Sequence, residues 1–142
     1  MKELDPSSDS KSRDLQAEIN RLAEELGVRP LTVEFPPRTA DDINIFVDDD
    51  GTYHFAYYER GKVGFDRVGS LDHIRYWYCE NVVHDLSRGI VDRKERFLFE
   101  YQTLSRHNPD WGKRYVRDLA EFFRSISKPQ DLALLPDIGE SL

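Results

Sequence analysis

Four histidines, one cysteine and a run of three aspartates are the residues whose types could do chemistry in this chain of 142. His73 and His84 sit eleven apart on one predicted helix, at nearly the same azimuth but about 16 Å apart along its axis. One ion held at roughly 2 Å from each ligand does not span that gap. His54 and His107 fall in other elements with no ligand pattern beside them. Cys79 lies mid-helix between Tyr78 and Glu80, where neither a helix N-terminus nor a thiolate-stabilising neighbour is evident, and reads as a small packing residue. A single cysteine also excludes an intramolecular disulfide and a multi-cysteine zinc cluster.

The aspartate run invites a calcium test. An EF-hand loop has Gly at its sixth position and a bidentate Glu at its twelfth. Counted from Asp48, the twelfth residue is Glu59 but the sixth is Tyr53, and strand alternation fits the span better. No serine stands in a Gly-x-Ser-x-Gly elbow, no Gly-rich loop cradles phosphate, and no spacing singles out a carboxylate pair. No catalytic, cofactor-binding or metal-binding residue is therefore expected. A carboxylate-dependent enzyme stays as an alternative, since a pair can be assembled by the fold alone.

What remains is acid and aromatic surface. Acidic residues outnumber basic ones 27 to 20, for a net charge of −7. Residues 1–70 hold 15 acidic and 9 basic residues, and 71–142 hold 12 and 11, so the acidity belongs to the first half. That balance argues against sequence-independent binding to nucleic acid or anionic lipid. No run approaches the roughly 18 apolar residues of a membrane span, and the N-terminus lacks the apolar core of a secretory signal. A cytoplasmic protein with neither nucleic acid nor membrane as partner is expected. Tyr53, Phe55, Tyr57, Tyr58, Tyr76, Trp77 and Tyr78 crowd one strand and the helix after it, more rings than one buried face absorbs.

The elements that must position these residues follow from periodicity. Residues 1–12, with Pro6, Ser7, Ser8 and Ser10, read as a disordered tail. A helix starts at Ser12, with Leu15, Ile19, Leu22, Ala23 and Leu26 on one face and Gly27 at its end. Leu31, Val33 and Phe35 alternate as a first strand, and Ile43, Ile45 and Val47 as a second. Turns at Asp48–Gly51 and Arg60–Lys62 set off strands at 52–59 and 63–68. Ser70 caps a helix to Leu86, Asp92 caps the next, and Asn108-Pro109 stops that one and starts a third, ended by Pro129. The expected architecture is α+β: an N-terminal helix, a four-stranded mostly antiparallel sheet, and three C-terminal helices packed on one face. One domain spans 13–128, with a partly ordered tail over 129–142.

The order of motifs carries a resemblance. Tyr53-His54-Phe55, Glu59-Arg60-Gly61, Asp72, Tyr76-Trp77, Arg96 with Leu98-Phe99, Gln102 and Leu104, then Asn108-Pro109-Asp110-Trp111 together resemble the Imm63 family of bacterial immunity proteins. The resemblance covers about residues 50 to 125. Glu95-Arg96 stands where the family often has paired arginines, and Tyr78-Cys79 replaces a more aliphatic segment. Members are encoded beside polymorphic toxins and neutralise them by binding, so the resemblance implies no enzymatic activity, no cofactor and a cognate protein toxin as partner.

A basic nuclease toxin would meet the acidic hairpin with complementary charge. Asp48, Asp49, Asp50, Tyr53, Tyr58 and Glu59 are the candidate toxin-binding residues, and Trp77, Phe99 and Trp111 the candidate core. The alternative outside the enzyme class is a regulatory or structural module that self-associates as a homodimer through its aromatic face.

Overall fold

A computed structural model describes residues 6–142 of the chain. It comprises helix α1 (Pro6–Leu26), strands β1 (Asp42–Val47), β2 (Tyr53–Glu59) and β3 (Lys62–Gly69), helices α2 (Leu71–Leu86), α3 (Arg93–His107) and α4 (Pro109–Ser125), and a 3-10 turn (Pro129–Leu134). The chain forms two compact units that divide inside α2, between Tyr78 and Cys79. No helix among the described residues is long and apolar enough to cross a membrane.

In the first unit, α1 buries Leu15, Ile19, Leu22 and Ala23 at the spacings of three and four that define one helical face. The outward face carries Arg21 bonded to both Glu18 and Glu25. At the C-terminal end Gly27 takes φ +72°, and Val28 N–H reaches back to the Ala23 carbonyl at 2.9 Å, closing a Schellman turn. The helix starts at Pro6 rather than Ser12. Proline is well suited to a first helical position, and Asp9 adds an acid to the first turn, so a serine-rich stretch of tail-like composition is helical. Residues 1–5 of the expected tail lie outside the described residues.

The sheet has three strands, in the order β1-β2-β3, all antiparallel. The fourth strand expected at Leu31–Phe35 is absent: the segment has the alternation of a strand but not the partner. The side-chain amide of Gln16 on α1 takes its backbone hydrogen bonds, accepting from Val33 N–H at 2.6 Å and donating to the Leu31 carbonyl at 3.0 Å. Prolines 36 and 37 then end the extended run, the first through a cis bond. Phe35 instead lies against Phe46, ring centroids 6.0 Å apart, and so covers the second face of β1. That is why Ile45, Phe46 and Val47 are buried in succession.

Both hairpins turn where local chemistry asks. Gly51 has φ +80°, and Arg60 and Gly61 are both at positive φ, as a two-residue hairpin of matching twist requires. Ser70 opens α2 with a reciprocal cap, its Oγ accepting from His73 N–H while His73 Nδ1 accepts from Ser70 N–H. This is a capping box with histidine in the place usually held by Glu or Gln.

The second unit is built on α3 and α4. Asp92 caps α3 through Glu95 N–H, and Asn108 ends α3 and caps α4 through Asp110 N–H. A Cβ at Gly112 would come within 1.9 Å of Ser105 Oγ, so glycine permits the close approach of the two helices there. Trp111, Tyr115, Val116 and Phe123 are buried with Phe97 and Leu104. Leu135 and Ile138 are buried beyond the 3-10 turn, and Arg117 on α4 bonds Glu140. Of the three expected core anchors, Trp111 is enclosed, while Trp77 and Phe99 are half-buried. Tyr76 and Tyr78, on either side of Trp77, point inward instead.

A candidate interaction site at the acidic hairpin

The turn Asp48–Gly51 is held by its first residue. One carboxylate oxygen of Asp48 accepts from Asp50 N–H at 2.9 Å and from Thr52 N–H at 3.0 Å, the geometry that makes aspartate a turn former. Its other oxygen lies 2.8 Å from His54 Nε2. On the far side of that ring, Nδ1 is 3.0 Å from both oxygens of Asp66 on β3. The imidazole stacks on Phe46, centroids 4.4 Å apart. A histidine on β2 thus bridges two aspartates, one from the turn and one from the neighbouring strand.

The electrostatics follow. Burial opposes charge on His54, but its hydrogen bonds to Asp48 and Asp66 and their negative charge outweigh that, and its pKa is raised above the ordinary value. Burial likewise pushes the Asp48 carboxyl up, but the bonds from His54, Thr52 and Asp50 reverse this and hold it below the usual carboxylate range. Each group thus favours the ionised form of the other, with Asp48 committed inward.

From the other side α1 grips the turn. Ser8 Oγ donates to the Asp49 carbonyl at 3.3 Å and Lys11 Nζ to the Gly51 carbonyl at 3.2 Å, with the ammonium 5.5 Å from the centre of the Tyr53 ring. The expected disordered tail thus contains the residues that hold the hairpin. Burial and the nearby charge of Asp14 raise the pKa of Tyr53.

The structure brings together Asp48, Asp49, Asp50 and Tyr53, whose carboxylate members offer oxygens within 4.8 Å of one another. With both oxygens of Asp48 already engaged, this group falls well short of the six to eight oxygens calcium takes. Tyr58 and Glu59 are elsewhere. Tyr58 pairs with Asp42 and Glu59 with Lys62 at the opposite end of β2. Five strand residues put that end about 17 Å from Tyr53. The tip is flanked by one tyrosine, not two.

A second polar cluster escapes sequence reasoning. Glu100 on α3 is 3% exposed. Ser87 Oγ donates to its Oε1 at 2.7 Å, the Tyr115 hydroxyl donates to its Oε2, and His84 Nδ1 stands 3.9 Å from Oε1. In a serine-hydrolase arrangement the hydroxyl bonds the imidazole and the carboxylate orients that imidazole. Here the hydroxyl bonds the carboxylate directly and is itself fully buried, so the cluster ties helices together rather than arming a nucleophile. One signal was readable: Glu100 falls three residues after Phe97 and four before Leu104, inside an apolar stripe.

The family model described as Immunity protein 63 (Imm63) matches residues 49–121. That span opens on the hairpin tip, takes in β2, β3, α2 and α3, and ends within α4. It contains every motif from Tyr53-His54-Phe55 to Asn108-Pro109-Asp110-Trp111. No curated protein and no solved structure matches the chain. With just over half of its residues inside the matched span, the chain belongs to the Immunity protein 63 family.

Proposed function

We propose that this chain is a non-catalytic immunity protein that binds and neutralises a cognate toxin of a bacterial competition system. The observation that carries this is the acidic turn at the edge of the family-matched span, held on one side by His54 and on the other by Ser8 and Lys11. Asp49 and Asp50 are the acids it presents, and Tyr53 the ring beside them. Asp48 serves by shaping the turn. Tyr58 and Glu59 would extend the contact only for a toxin that reaches along the whole of β2.

A basic nuclease is the toxin class this surface suits. Enzymes that act on a polyanion expose positive charge, and opposed fields speed encounter. The cytoplasm is where such a toxin would meet its substrate, and we place the chain there. Co-expression with the toxin encoded in the neighbouring reading frame tests the reading: cells survive with the chain and die without it. Asp49→Lys with Asp50→Lys should slow association about tenfold at low ionic strength, an effect that fades in salt. Death of cells carrying the unmodified chain would refute the function. An unchanged association rate in the double variant would refute the role of the tip.

A further inference from the structure

A second surface lies on the other edge of the sheet. Strand β1 has an attended edge: Asn44 Nδ2 donates to the Ala40 carbonyl at 2.9 Å, and the 32–40 segment lines a small cavity with Ile43 and Ile45. Among the described residues strand β3 pairs with β2 alone; it is eight residues long and contains no proline. It is exposed from Lys62 to Val68, and Val63, Phe65 and Val68 are 58%, 38% and 57% exposed. Edge strands that avoid partners are short, charged, bulged, interrupted by proline, or covered. This one carries Lys62, Asp66, Arg67 and a bulge, but it is long and uncovered and holds three exposed apolar side chains in an organised array.

Phe65 stacks on Tyr57 at 5.7 Å and on Phe55 at 6.4 Å, and Phe55 meets Trp77 of α2 at 6.1 Å. Above this shelf the Arg67 guanidinium lies 4.9 Å from the centre of Phe65 and 5.7 Å from that of Trp77. The backbone is adapted to it. The β2–β3 register shifts between Tyr57 and Tyr58, and a Cβ at Gly64 would come within 2.7 Å of the Tyr57 ring. A bulge with glycine is therefore what lets Tyr57 lie beside Phe65. The opposite face offers Val68 beside Asp66, whose carboxylate is already bonded to His54. The charges this edge presents outward are thus those of Lys62 at its end and of Arg67, the latter pre-oriented by two rings.

We propose that β3 is the docking strand for the protein partner, an inference that rests on the immunity reading and deepens it. An extended segment of the toxin adds to the sheet along Lys62–Val68, with a carboxylate side chain on Arg67 and an apolar one, two residues away, over Phe65. Backbone pairing supplies affinity, and the alternating side chains supply selection. A second copy of this chain suits the edge less well. Each copy carries −7, with the excess acid in the half that holds β3. A two-fold pairing centred on Asp66 or Arg67 would also set like charges opposite one another. The two surfaces divide the work: Asp49 and Asp50 act at long range on encounter, and β3 acts at contact on residence time.

Hydrogen–deuterium exchange of the full chain, alone and with the catalytically disabled toxin domain encoded beside it, tests this together with Arg67→Glu. Expected are a slowing of β3 amides by tenfold or more on binding, and a dissociation rate raised about tenfold by Arg67→Glu. At high ionic strength, where steering is screened, the association rate should barely move, and neither should the thermal midpoint of the free chain. If the unmodified chain binds the toxin while β3 exchange or the Arg67→Glu dissociation rate stays unchanged, the docking strand is overturned and the immunity function stands. If the unmodified chain does not bind, both fall. β3 protection that grows with the concentration of the chain alone assigns the edge to a second copy, and overturns the proposal.

Discussion

Two carboxylate networks in this molecule invite comparison. Asp48–His54–Asp66 sits at the sheet surface with a titratable base at its centre. Glu100 sits inside the helical unit and is satisfied by the hydroxyls of Ser87 and Tyr115. The first holds a turn that presents other acids to solvent, while the second holds helices together out of reach of any partner. An acidic residue in this chain is therefore not acidic surface by default. At the tip, Asp49 is half-buried and Asp50 exposed, side by side in the turn that Asp48 shapes.

The largest effect should come from the buried network. Glu100→Ala removes the acceptor shared by two buried hydroxyls and leaves a void beside them, a loss of about 2–5 kcal/mol. Glu100→Gln keeps one acceptor and should lose about half as much. Urea unfolding at an unchanged slope reads both, and equal losses would show that the carboxylate is not shared between two donors.

The surface network should matter less, and in a pH-dependent way. His54→Ala should cost about 1–3 kcal/mol at mildly acidic pH. The folded pKa of His54 is raised above its ordinary 6.5, so its contribution is fully present below that value and is lost as pH rises through the folded pKa. The folded pKa of Asp48 is lowered from 3.8, so its contribution is present above that value and is lost as pH falls through the folded pKa. The stability gap between the native chain and His54→Ala should therefore peak between these limits and narrow on both sides. A gap flat from pH 4 to 9 would break the bridge. The smallest effect belongs to the tip: Asp49→Lys with Asp50→Lys should alter stability by no more than about 0.5 kcal/mol while slowing association with the toxin.

Features with a local cause can be read from this sequence, and features with a distant partner cannot. Elements whose cause is local were legible: the Asp48–Gly51 turn, Arg60-Gly61, the caps at Asp92 and Asn108, and Gly27 ending α1. What escaped is non-local. Leu31–Phe35 has the alternation of a strand, but Gln16, fifteen residues or more away, takes its hydrogen bonds. The first turns of α1 look like a tail until Ser8 and Lys11 meet a turn forty residues on. The partners of His54 lie six and twelve residues away, and periodicity alone did not show the ring between them. The separation of Tyr58 and Glu59 from the tip was within reach, since strand rise alone sets the two ends of β2 apart.

The central claim is that this chain neutralises a toxin by binding it. The most direct measurement is the catalytic activity of the purified toxin domain encoded beside it, titrated with the full chain. One-to-one neutralisation predicts a linear fall to zero activity at one equivalent, with no turnover of the toxin. Activity that persists at tenfold molar excess, or a chain that destroys the toxin while acting in substoichiometric amounts, would contradict it.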